Sequence, residues 1–228
     1  MYRPVLERLA LRMGLLTMLA LIAACGGRPE ENEPRPLPEA EGQALRPGEY
    51  RSEEFEPPLT FRVGEGWALS TLEEPEVLRI ERGETGGLGF TNIREVYEPT
   101  KTGSPDVADA PEDIVGWFLR HPYLRTTNLE PATVGGVEGV RFDVVVGELP
   151  EGYHGVCRAI SAADCVDIAR FSDRQMLFHT RGAKARVIVL EDVEDETVTI
   201  AFGGTATAFD VLAPPAQKVI DTVKWGGS

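Results

Sequence analysis

Basic residues are scarce in this chain. Lys and Arg number 23 against 37 Asp and Glu, for a formal net charge of −14. So negative a surface repels phosphate backbones at long range, which sets nucleic acid aside as a partner. Cysteine is scarce too: Cys25, Cys157 and Cys165 are the only three among 228 residues. No Cys-x-x-Cys spacing occurs, so neither a zinc ribbon nor a thioredoxin-type redox motif is spelled. The three histidines, His121, His154 and His179, are scattered and do not make a metal set by sequence. No Gly-x-Ser-x-Gly elbow marks a nucleophile, and Ser161 and Asp164 near His154 are neighbours in sequence only. Gly83, Gly86, Gly87 and Gly89 do not follow the dinucleotide-binding spacing and read as turns. No apolar run reaches the roughly 20 residues of a membrane-spanning helix. These absences point away from catalysis and from any cofactor.

What is present begins at the front end. Arg3, Arg8 and Arg12 precede an apolar run from Met13 to Ala24, and Cys25 follows at once. A basic start, a run of about a dozen apolar residues and a small-residue ending describe a secretory signal peptide over residues 1–24. Ile22-Ala23-Ala24-Cys25 resembles the lipobox of bacterial lipoproteins, in which the thiol is acylated and becomes the new first residue. The resemblance implies lipidation, palmitate included, on Cys25 and a membrane anchor on the extracytoplasmic face of the cell envelope. Each buried methylene contributes about 0.8 kcal/mol, so several acyl chains would hold firmly. Without Arg3, Arg8, Arg12 and Glu7 the mature chain carries 20 basic and 36 acidic residues, about −16.

Residues 25–48 are rich in proline and glutamate and poor in apolar side chains, a composition that favours an extended, disordered tether. Residues 49–228 read as one globular domain, supported by a hydrophobic fraction of 42%. Strand signals fall at 59–63, 67–69, 77–80, 88–93, 132–134, 140–146, 166–171, 176–178, 186–190 and 197–202. One helix is expected from Pro111-Glu112-Asp113 to the residue before Pro122, with Ile114, Val115, Trp117, Phe118 and Leu119 making an apolar face. A second is expected to begin near Pro214-Pro215 and turn Val219, Ile220 and Val223 inward. Runs of strands with few helices between them predict an α+β domain around an antiparallel β-sheet.

Gly64-Glu65-Gly66-Trp67, the stretch Val134-Gly135-Gly136-Val137-Glu138-Gly139-Val140-Arg141-Phe142, and the ending Val219-Ile220-Asp221-Thr222-Val223-Lys224-Trp225 resemble the PsbP/Mog1-like family. That family includes photosystem II extrinsic subunits, a Ran-binding nuclear transport factor and actinobacterial lipoproteins of the LpqN type. The resemblance implies an antiparallel sheet flanked by helices, an α/β/α sandwich, and a role as a binding or accessory module. None of the family's binding residues transfers to this chain, and residues 148–164 depart from the pattern as an embellishment.

Cys157 and Cys165, with seven residues between them and outside the cytoplasm on this reading, are expected to form a disulfide. The acidic run Glu191-Asp192-Val193-Glu194-Asp195-Glu196 lies between two strands and reads as a solvated hairpin tip. Its oxygens suit calcium, but its spacing is not that of an EF-hand. The functional expectation is a membrane-anchored, non-enzymatic binding or accessory module for a protein or envelope ligand. The alternatives are an envelope hydrolase whose site is assembled from distant residues, and a structural spacer.

Overall fold

The computed structural model describes residues 33–71, 73–100, 104–159, 164–172 and 176–226. Along most of this length apolar and polar side chains alternate, and the period of two builds strands. In chain order these are β1 (Arg35–Pro36), β2 (Gly48–Arg51), β3 (Leu59–Val63), β4 (Ala68–Leu69), β5 (Val77–Glu81), β6 (Gly87–Thr91), β7 (Glu95–Tyr97) and β8 (Val107–Asp109). Helix α1 (Ile114–Arg120) is followed by β9 (Leu124–Thr126), β10 (Glu130–Val134), β11 (Val137–Val146), β12 (Cys165–Arg170), β13 (Met176–Thr180), β14 (Ala183–Val193) and β15 (Glu196–Thr205). Helix α2 (Ala206–Ile220) and β16 (Lys224–Trp225) close the chain.

The central sheet runs β10-β11-β14-β15-β6-β5-β4, every neighbour antiparallel, with β9 pairing the end of β11. Its two faces build two cores. On β14, Ile188 and Leu190 join one apolar cluster while Val187 and Val189 join the other. The first cluster is completed by Phe61 of β3 and by Phe209, Leu212, Val219 and Ile220 of α2. The second takes Ile114, Val115 and Phe118 from α1 and Val166 and Ile168 from β12.

Each face is therefore covered by strands as well as by a helix. One carries the small sheet β1-β2-β3-β16, the other the sheet β13-β12-β7-β8. The antiparallel centre matches the sequence expectation; a pure helix layer on each side does not. The reason is length: the seven residues of α1 extend roughly 10 Å, against roughly 29 Å across the seven-strand width of the sheet. Strands must cover what so short a helix leaves open. The domain is sheet-dominated α+β.

The folded body also begins earlier than residue 49. One compact unit starts at Pro34. β1 pairs in parallel with β2, Leu45 is 3% exposed within the first core, and Leu37 packs against it. Residues 34–48 thus lie on the domain despite their tether-like composition, because a few apolar side chains and the open edge of β2 suffice to fix an extended, proline-rich segment. Residues 1–32, which hold the predicted leader and Cys25, lie outside the described residues.

Both helices start where a cap permits. Asp113 accepts the Gly116 N–H at 2.6 Å, so α1 opens three residues after the Pro111 signal. Thr205 caps α2 through the Ala208 N–H, eight residues before the expected start at Pro214. Pro214 and Pro215 lie inside α2. They forfeit two ladder bonds, yet burial of Phe209 and Leu212 before them and Ala216, Val219 and Ile220 after them keeps the helix continuous. The Gly135-Gly136 turn joins β10 to β11, with φ of 58° and 85°. A Cβ on Gly135 would stand 2.6 Å from the Trp225 ring, whose Nε1 donates to the Val134 carbonyl.

Candidate functional site

On the second face of the central sheet, β6 and β15 present Gly87, Gly89, Ala201 and Gly203, and β14 adds Ala185. The alternation that puts Leu88, Phe90, Ile200 and Phe202 into the first core leaves these small residues on the opposite side. Strand β13 lies across them without filling the space. The result is a cavity of about 240 Å³, floored by small side chains and walled by Phe171, Leu177, Phe178 and His179. A smaller apolar hollow of about 30 Å³ shares Leu177, His179, Ala185 and Ala201 with it and reaches Phe118, Val144, Ile168 and Val187.

Arg79 of β5 lines this cavity. It sits opposite Gly89 in the strand register, and its stem crosses the glycine: a Cβ there would meet Arg79 Cγ at 3.3 Å. Glycine at 89 is what lets the arginine lie along the floor. Burial lowers the Arg79 pKa, and the nearby Glu81 charge acts in the opposite direction. Among the described residues no side chain hydrogen-bonds or ion-pairs with the Arg79 guanidinium, and no Asp or Glu lines the cavity. A cation left in this state is primed for an anion, because an Arg fork offers a carboxylate two parallel donors.

His179 is 9% exposed and its Nε2 donates to the Val144 carbonyl at 3.1 Å. Burial lowers its pKa most, and the carbonyls of Val144 and Ala183 pull the other way. It is a neutral, tied wall residue.

The other residues singled out by sequence fall elsewhere. His121, 5% exposed, accepts the Tyr123 N–H on Nδ1 at 3.2 Å and packs edge-on against Trp117. Burial takes its pKa down to about 4. The Trp117 and Phe118 pair serves packing, Phe118 being 2% exposed. His154 is exposed and shares Arg158 with Asp164. Asp164 also pairs with Arg181 at 3.4 Å, and Ser161 lies outside the described residues. Glu194 and Asp195 form the two-residue turn between β14 and β15, with φ of 52° and 72°, so the acidic run is a hairpin tip. There Glu196 is bound by Arg94 at 2.5 Å. Among the described residues no group of three or more His, Cys, Asp or Glu could hold a metal ion.

Cys157 and Cys165 form a disulfide with Cα atoms 6.3 Å apart. Sequence reading missed its companion. Asp167 is 1% exposed and accepts the Val156 N–H at 2.6 Å and the Cys157 N–H at 2.8 Å, clamping the bridged loop to β12. Burial raises its pKa, and the two N–H bonds partly offset that. Arg79 and Gly89 were missed as well. In sequence they look like an ordinary polar strand position and a turn glycine, and only the cross-strand register brings them together.

No family model matches the chain, and no curated protein does. Among solved structures, the chain is similar to the solution structure of cyanobacterial PsbP (CyanoP) from Synechocystis sp. PCC 6803, with 10% sequence identity and a TM-score of 0.41, over 82% of this chain and 97% of that one.

Proposed function

We propose that this protein is a lipid-anchored, extracytoplasmic binding module of the accessory kind and not an enzyme. The observation that carries the binding role is the cavity between β13 and the central sheet: a floor of small residues, an apolar wall, and the half-buried cation of Arg79, which among the described residues has no side-chain hydrogen bond or ion pair. Ligand sites combine a mostly apolar concavity with a few polar groups that fix orientation, and this cavity has that make-up. The anchor is carried by the basic start, the apolar run and Cys25. Kinship with PsbP/Mog1-like and LpqN-type proteins, suggested by the Gly64-Glu65-Gly66-Trp67, Val134 to Phe142 and Val219 to Trp225 motifs, belongs to the same proposal.

If Cys25 carries the lipid, the net charge of −14 would disfavour contact with anionic head groups.

A fragment screen followed by methyl NMR tests the binding role. Small water-soluble fragments of mixed charge are expected to perturb the methyls of Leu177, Ala185 and Ala201 above all others. Perturbations spread evenly over the surface, or centred on another face, would contradict a ligand site in this cavity.

A further inference from the structure

The chemistry of the cavity says more than that something binds. Its walls are Phe171, Leu177 and Phe178, its floor is glycine and alanine, and its charged lining residue is Arg79. In a protein with fourteen more acidic than basic residues, the cavity thus holds a cation where the surface as a whole is negative. Arg79 lies along Gly89, pressed to the floor, and among the described residues no Asp or Glu lines the cavity with it. The adjoining hollow, which shares Leu177, His179, Ala185 and Ala201 with the cavity and is bounded by Phe118, Ile168 and Val187, has no Asp, Glu, Lys or Arg among its described lining residues. One end therefore accepts an anion, and the other accepts only hydrocarbon.

Resting on the reading of this cavity as a ligand site, we infer that its ligand is a small amphiphile with one carboxylate and a short apolar body, the carboxylate on Arg79 and the apolar end directed between β13 and the central sheet. A guanidinium fork matches the planar, two-oxygen geometry of a carboxylate. A cavity of about 240 Å³ suits a body the size of a ring or of a chain of a few carbons, since an apolar cavity of about 150 Å³ admits benzene. Partial burial strengthens the pairing, because the attraction of the Arg79 charge for an anion is less screened in the cavity than on the open surface.

The experiment is calorimetric titration of the full-length chain with hexanoate, 1-hexanol and hexylammonium at neutral pH. Arg79→Met, which keeps an apolar stem, and Ala201→Leu, which fills the floor, are titrated alongside, each with its urea midpoint measured to show that it folds. Hexanoate should bind wild type at least tenfold more tightly than 1-hexanol does, and hexylammonium should not bind. Arg79→Met should lose that preference and bind hexanoate and 1-hexanol alike. Ala201→Leu should weaken both. Should 1-hexanol match hexanoate in wild type, or Arg79→Met keep full hexanoate affinity, the carboxylate assignment is overturned while the ligand site stands. Should neither probe bind wild type, or should Ala201→Leu leave both affinities unchanged, the ligand-site reading falls with it.

Discussion

His121 shows how one buried side chain sets a pH limit on the whole fold. Its ring packs edge-on against Trp117 and Tyr123, and the lone pair on Nδ1 takes the Tyr123 N–H. Protonating that nitrogen removes an acceptor and places a charge where water is excluded, which is why its pKa falls to about 4. The unfolded chain, with an ordinary histidine pKa near 6.5, binds the proton first. Stability is therefore fully present above about pH 6.5 and declines as the pH falls toward 4, by about 2 kcal/mol at pH 5 from this residue. The buried His179, with its pKa lowered too, adds in the same direction. Asp167 has the opposite sign: its raised pKa means the folded state holds the proton more tightly, so its contribution falls as pH rises through that value. Urea midpoints at pH 7 and pH 5 check this. Wild type should lose stability between them, and His121→Phe should lose about 2 kcal/mol less.

At this scale the sequence was legible for chemistry that is local. The cysteines have few partners to choose from, and the acidic run announces a turn. Arg79 was not legible, because nothing in Leu78-Arg79-Ile80 tells that a glycine stands opposite it. Asp167 was hidden for the same reason. An aspartate inside the alternating run Val166-Asp167-Ile168 reads as solvent-facing, whereas it turns inward to two backbone N–H groups of a loop ten residues earlier.

Elements show the contest between local signal and burial. The strands from β5 to β6 and from β10 to β15 follow from alternation and turn residues and fall close to where the sequence puts them. What alternation cannot give is sheet membership: β12 and β13 pair with each other and with β7, and belong to a different sheet from β14 and β15. The short strands β1, β7, β8 and β16 have two or three residues each, too few to show a period. Helix α2 overrides the strongest breaker signal in the chain, Pro214-Pro215, because its buried stripe runs from Phe209 to Ile220 across both prolines.

The loop held by Cys157 and Cys165 is the element whose energetics are easiest to predict. With a sequence separation of eight, loop-closure entropy assigns the bridge about 2–3 kcal/mol. The double variant Cys157→Ala and Cys165→Ala should lower the unfolding free energy measured in urea by that amount, with a lower midpoint, while Asp167 still ties the loop. A midpoint equal to wild type would show that the Asp167 bonds alone hold it.

In the described domain, two composite layers clamp a central antiparallel sheet and leave a cavity between it and β13. Small residues on β6, β15 and β14 open that gap, while the same strands bury large residues on the opposite face. A design for stability alone would fill it, since an empty space forfeits contacts on one side. Its persistence beside Arg79, which among the described residues has no side-chain hydrogen bond or ion pair, is the basis of the binding role proposed here. The anchor is the other half of that role, because it decides where a ligand would be met.

Intact-mass spectrometry of the protein purified from its own membranes, before and after reduction, tests the claim most directly. The account predicts a chain beginning at Cys25, heavier than its sequence by its acyl groups, that gains about two hydrogens on reduction. A full-length, unmodified chain whose mass does not change on reduction would contradict the anchor, the compartment and the bridge together.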